Sequence, residues 1–278
     1  MRRVSLVIFL LSALFGIRRA SSFGPPPSAR PTSQPTVPDH LKVLTFNILQ
    51  GKAGIRRIAK LIDAQRPDIV FLQEVCRPAC DRNGIDQAAF IARKLGGLHV
   101  VSATTLGFAN KQTRDPAILS RLALRDARAI RGKHGGRIFG LLATLDTSGR
   151  PLHLLCVHTT STTRLTVDDI IKSSKVRMAQ ITDLLAVVKG LDGDVIIAGD
   201  FNAADWMPEY HAITRQWTDF GLVTQASKLS YPSYRPKVRI DYVFGRGRFE
   251  AASYRVLDAR VSDHRPVVAE LRLREGPP

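Results

Sequence analysis

Cysteine is scarce in this chain, three residues in 278, and what little there is does not suit zinc. The close pair Cys76 and Cys80 has no second Cys or His pair at matching spacing. Cys156 sits inside the apolar run LHLLCV and reads as a small buried hydrophobe. Long apolar runs are missing as well. The stretch from Val4 to Ile17 falls short of the roughly 20 residues that a membrane-spanning helix needs. No Lys/Arg block is long enough to make a nucleic-acid-binding tail, and no repeat recurs at a fixed short period. Acid is the scarce charge: 24 Asp and Glu stand against 41 Lys and Arg, a formal net charge of +17. The first 22 residues hold Arg2, Arg3, Arg18 and Arg19 and no acid, so +13 of that belongs to the rest. Such an excess favours polyanions, whether nucleic acid, acidic lipid headgroups or phosphorylated small molecules.

What is present divides the chain unevenly. Two arginines, an apolar stretch and the small residues Ala20, Ser21 and Ser22 form a signal-peptide layout over 1–22, with an uncleaved anchor as the alternative. A Pro-, Ser- and Thr-rich linker is expected over 23–40. Residues 41–274, roughly 235 of them, suffice for one sizeable α/β domain, followed by a tail at 275–278. The protein is expected to be exported, with no stable membrane span after cleavage, and monomeric. In an exported chain Cys76 and Cys80 can close a small loop, leaving Cys156 over.

Short apolar runs of strand character recur at 41–48, 68–73, 97–103, 116–120, 138–145, 152–158, 194–199, 239–245, 253–257 and 266–272. Helices are expected over 54–64, 84–95, 168–189 and 208–220. The third is marked by a stripe of Ile171, Met178, Ile181, Leu185 and Val188. Two strands separated only by the turn TSGR must be antiparallel, which excludes a purely parallel sheet. Two mixed sheets packed face to face, with helices outside, fit this order.

Polar residues interrupt the ends of these strands: Asn47 in LKVLTFNI, Gln73 and Glu74 in DIVFLQEV, and His158 in LLCVHTT. The same holds for Asp200 and Asn202 in IIAGDFN, Asp241 in RIDYVF, and Asp263 and His264 before the last strand. Each alone has a plain explanation, a turn former for an Asn and a satisfied core or surface residue for a His. Six strands ending this way imply a cation, a proton-transfer system or both, because buried carboxylates are costly unless paired or metal-bound. Along an extended chain Asp200 and Asn202 point to one side and Phe201 to the other.

TFNI, LQEV, AILSR, VHTT, GDFNA, RIDYVF and SDHRPV, in this order across 41–273, resemble the endonuclease/exonuclease/phosphatase superfamily of deoxyribonuclease-I-like proteins. The resemblance implies a four-layer α/β/β/α sandwich and divalent-metal-dependent cleavage of phosphate esters. The ion would be Mg²⁺, with Mn²⁺ as a substitute and Ca²⁺ as an optional structural ion. Hard Mg²⁺ takes oxygen ligands, so Glu74 is the natural anchor, with Asn47 nearby and Asp263 as a second or water-mediated ligand. Asp200 orients or deprotonates the attacking water, and Asn202 holds that water or a phosphate oxygen. His264 needs a carboxylate partner, which the resemblance identifies as Asp241, and His158 donates from the opposite side. Whether Asp200 or His264 is the base stays open, and Asp115 is offered as a partner for His158. The chain departs from the family where Cys76 separates LQEV from Arg77, and again in the segment ANKQTRDP. The substrate expected is a polyanionic phosphate ester, nucleic acid first and a lipid headgroup second. Tyr231, Tyr234 and Arg235 either stack on a base or cover the sheet edge.

Overall fold

The computed structural model describes residues 35–108, 114–132, 137–164 and 166–274. The expected signal segment, all but the last six residues of the expected linker, and the tail lie outside these. The first half of the fold contains β1 (His40–Asn47), α1 (Ile55–Gln65), β2 (Ile69–Val75), α2 (Gln87–Lys94), β3 (His99–Ser102) and β4 (Asp115–Ser120). Next come β5 (Leu124–Arg131), β6 (Ile138–Leu145), β7 (Leu152–His158), α3 (Val167–Lys189) and β8 (Asp194–Asp200). The chain ends with α4 (Pro208–Thr214), β9 (Thr218–Asp219), β10 (Asp241–Arg246), β11 (Phe249–Val256) and β12 (Val267–Leu273).

The strands form two six-stranded sheets, ordered β11-β12-β1-β2-β4-β3 and β5-β6-β7-β8-β10-β9. Both are mixed. The pairs β1–β2 and β7–β8 are parallel and their neighbours antiparallel. Each parallel pair is bridged by a helix, α1 in one sheet and α3 in the other, as a parallel connection requires. The antiparallel β6–β7 hairpin across TSGR is present.

Alternation along each strand builds three apolar layers. Val43, Phe71, Ile118, Leu141, Leu154, Ile196 and Val243 meet between the sheets. Their sequence neighbours Leu44, Val70 and Leu72 face Ile58, Ile62 and Ile91 of α1 and α2, while Leu155 and Ile197 face Ile181, Leu184 and Ile213 of α3 and α4. The α/β/β/α sandwich follows. Burial on both faces also explains why these strands read as unbroken apolar runs. Cys156 lies in the inter-sheet layer, its thiol pushed up to about 12 by burial.

Three readings need correction. β5, LRDARAIR, was not expected: it is an edge strand with its charged side chains largely outside, so it carries no apolar run. α4 stops at Thr214 rather than continuing to 220, because Trp217 is buried and Thr218–Asp219 pair with β10. On α3 the buried face is Ser173, Arg177, Gln180, Ile181, Leu184 and Val188, and Ile171 is 48% exposed. The real face includes polar residues that bind the neighbouring loop, which an apolar stripe does not reveal. Among the described residues no helix is long and apolar enough to cross a membrane.

Candidate active site

Parallel pairing brings the ends of β1 and β2, and of β7 and β8, to one rim. Asn47 pairs with Gln73 in register, and His158 with Asp200. β10 runs antiparallel to β8, so its first residue, Asp241, lies opposite Asp200. Gly199 makes the close approach of β7 and β8 possible. Its φ is +152°, and a Cβ there would stand 1.9 Å from the Val157 carbonyl oxygen.

At the end of β2 the register slips between Leu72 and Val75, and Glu74 adopts φ 55°. This bulge separates two neighbours. Gln73 turns between the sheets, bonding Thr45 Oγ1 at 3.1 Å and Cys156 Sγ at 3.3 Å, while Glu74 faces the rim. A disulfide joins Cys76 to Cys80 just beyond it, with Cα atoms 5.6 Å apart.

The centre of the site is Asp200. Its Oδ2 accepts the Asn47 amide at 3.0 Å, and its Oδ1 accepts the backbone N–H of Asn202 at 2.9 Å. His264 Nε2 is 3.6 Å and His158 Nε2 3.8 Å from the same Oδ2. His264 Nδ1 holds Asp241 Oδ2 at 2.9 Å, the pairing that the resemblance implied. Asn202 is no longer extended, with φ 48°, and its Nδ2 donates to the Thr159 carbonyl at 3.1 Å. Strict alternation therefore fails at this residue. Phe201 does turn away, into the layer under α3 and α4.

Protonation states follow from this packing. Burial lifts the Asp200 carboxyl to about 7, with His264 pulling it down and Asp241 pushing it up. Burial alone would lower His264, but the Asp241 and Asp200 carboxylates outweigh it and raise the imidazole to about 10. His158 has no such support. Burial, then Arg137, His264 and Arg114, drive it down to about 3 and keep it neutral. Asp115 does not partner His158; it pairs with Arg77 instead, Nε to Oδ2 at 2.8 Å.

Among the described residues, the group of Asp, Glu, His and Cys whose ligand atoms fall within 4.8 Å of one another is Asp200, Asp241 and His264. An imidazolium at its centre suits proton sharing better than cation binding. The expected oxygen set is arranged differently. Glu74 Oε1 is 3.5 Å from Asn47 Nδ2, and Glu74 Oε2 is buried without a hydrogen-bond partner. Asn47 presents its NH₂ to both carboxylates while its Oδ1 accepts Leu49 N–H at 3.1 Å. Asp263 is linked through Ser262, whose hydroxyl bonds the Asn47 carbonyl at 2.7 Å. An orphaned buried carboxylate oxygen fits a divalent cation, so Glu74 passes this test. As placed, Asn47 acts as a donor.

Several site residues escaped the sequence reading. Arg114 stands 3.4 Å from Glu74 Oε2, and Arg137 lies within electrostatic reach of Glu74 and Asp115. Of the tyrosines singled out in the sequence, Tyr231 packs against the His264 ring, centroids 4.9 Å apart, while Tyr234 is exposed. Arg239 grips Asp219 with two bonds of 2.7 Å just before Asp241. The only trace of Arg114 and Arg239 in sequence is an arginine one or two residues ahead of a buried acid, in RDPAIL and RIDYVF, and Arg137 leaves none.

Comparison with known proteins agrees with this fold. Solved structures of similar fold include humanized D. rerio TDP2 carrying 14 mutations (TM-score 0.66, 18% identity, 84% of this chain and 100% of that one). An endonuclease/exonuclease/phosphatase from Bacteroides vulgatus matches with TM-score 0.68 and 16% identity over 84% of this chain and 99% of that one. Another from Beutenbergia cavernae gives 0.60 and 22%, covering 85% and 72%. Identities this low establish the fold alone. A search of curated proteins gives no match. The model of the Endonuclease/Exonuclease/phosphatase family matches residues 44–264, from the middle of β1 to the histidine of the site. With fold, motif order and that match in agreement, the chain belongs to the endonuclease/exonuclease/phosphatase family.

Proposed function

We propose that the protein is an exported, divalent-metal-dependent phosphodiesterase with nucleic acid as its favoured substrate. Members of its family are phosphoesterase hydrolases that use divalent metals. The observation that carries the proposal is the buried Asp200 carboxyl, near neutrality at about 7 and within 3.8 Å of Asn47, His264 and His158. A carboxylate titrating there accepts a proton from water at ordinary pH.

Asp200 is thus the general base. Asn47 and the Asn202 N–H fix its two oxygens, which makes Asn202 a positioning residue through its backbone. His264, held cationic by Asp241, presents Nε2 to the phosphoryl oxygens. Neutral His158 lies on the other side of Asp200 and contributes a hydrogen bond. A divalent ion held by Glu74, with Asn47 beside it and Asp263 farther out, would neutralise the phosphate charge that otherwise repels the attacking oxygen. The positive excess favours nucleic acid. Export through residues 1–22 belongs to the same proposal, and the Cys76–Cys80 bridge supports it, since disulfides persist in oxidising compartments. One observation favours a lipid phosphodiester instead: Trp206, four residues after Asn202, is 66% exposed.

The test is a substrate panel of plasmid DNA, RNA, sphingomyelin vesicles and inositol phosphates, run with Mg²⁺, after exhaustive chelation, and after Mn²⁺ addition. Hydrolysis of DNA or RNA, lost on chelation and restored by metal, is expected. Undiminished hydrolysis after chelation removes the metal assignment. Turnover confined to sphingomyelin replaces nucleic acid with the lipid reading.

A further inference from the structure

The geometry points to Arg114 as a placeholder cation: it neutralises Glu74 while no metal is bound, and moves to the substrate's phosphate when a divalent ion takes Glu74. This rests on the metal-dependent reading above and assigns a residue to it. Glu74 is buried, and its Oε2 has no hydrogen-bond partner. A carboxylate so placed needs a compensating positive charge. Arg114 supplies one, with Nε at 3.4 Å from Oε2 in an ion pair rather than a hydrogen bond.

The two partners differ in freedom. The Glu74 side chain is 9% exposed, and that of Arg114 is 45% exposed. The backbone beside Arg114 is anchored, because the next residue, Asp115, is buried at the start of β4 and paired to Arg77. The guanidinium can therefore swing while the chain stays in place.

Its neighbours give it reason to leave. Arg137 acts on the same small region, attracted by the Glu74 carboxylate and repelled by the Arg114 guanidinium. His158 Nε2 lies on the other oxygen of the same carboxylate, 3.8 Å from Glu74 Oε1. One carboxylate thus already faces two guanidiniums. A divalent cation on Glu74 adds two further positive charges, and an incoming phosphate becomes the nearest anion for Arg114 to neutralise. Metal and phosphate each favour the displaced arginine, so each strengthens the other's binding.

Mn²⁺ binding, read by the loss of its free-ion spin-resonance signal, tests this without turnover. Wild type, Arg114→Ala and Arg114→Gln are titrated with and without inorganic phosphate, after each shows a native melting transition. Both variants should bind Mn²⁺ roughly three- to fivefold more tightly in the absence of phosphate, the range open to a half-exposed ion pair. Both should also bind phosphate more weakly, and the gain in Mn²⁺ affinity on adding phosphate should shrink. Mn²⁺ binding that depends on Glu74 but is unchanged or weakened in both arginine variants overturns the placeholder role alone. Glu74→Ala that binds Mn²⁺ as wild type does overturns the metal assignment and the placeholder together.

Discussion

Asp200 and His264 sit in contact and both titrate above their ordinary values, the acid near 7 and the imidazole near 10. Two consequences can be measured. Turnover per unit substrate, kcat/KM, should rise with pH through about 7 as Asp200 ionises, and Asp200→Asn should lose both the rise and at least roughly a hundredfold in rate. Stability should move the other way. His264 binds its proton more tightly folded than unfolded, so its contribution is complete below 6.5 and disappears as pH climbs towards about 10. The melting temperature of wild type should fall over that window relative to His264→Gln; parallel curves would show that the imidazolium is not stabilised by folding. Asp241→Asn should act through His264, leaving the double variant little worse than His264→Ala alone.

Elements rather than single groups hold these residues together. β7 and β8 approach so closely at Val157 and Gly199 that Gly199→Ala has no space for its methyl group. It should cost about 3 kcal/mol or more in urea unfolding. β10 is held at its start by Arg239, bonded to Asp219 and stacked over Tyr242 with its guanidinium carbon 4.4 Å from the ring centroid. Removing one partner of so buried a pair leaves the other uncompensated. The loop after Glu74 is closed by a disulfide spanning a sequence separation of 4. A loop this short restrains the unfolded chain only modestly. The paired Cys76→Ala and Cys80→Ala change should therefore cost at most about 2 kcal/mol. A urea midpoint for the double alanine protein lowered by more than that, relative to oxidised wild type, would contradict this.

Across the whole molecule the dominant feature is positive charge, +17 in formal terms. If nucleic acid is the substrate, neutralising its phosphates releases counterions. The KM for a polynucleotide should then rise roughly tenfold or more between about 50 and 200 mM salt. A small single-phosphodiester substrate should show little change. Equal salt dependence for both would place the charge excess outside substrate recognition.

Local order alone was enough to mark the strands buried on both faces and the polar residues at their ends. Asn47, Glu74, His158, Asp200, Asp241 and His264 were all legible because each breaks an apolar run where burial makes a polar group expensive. Periodicity reports that a face is buried, but not what lies against it. Only the tertiary structure decided that Asp115 answers Arg77 rather than His158, and that a bulge sends Gln73 inward and Glu74 outward. It also decided that α4 yields to a strand at Thr218, and that charged β5 is a strand at all. The same holds for Arg114, whose place one residue before Asp115 does not name Glu74 until the start of β4 brings the two together. Partner choice and protonation depend on separations between residues distant in the chain and on the water excluded around them, and neither is written in local order.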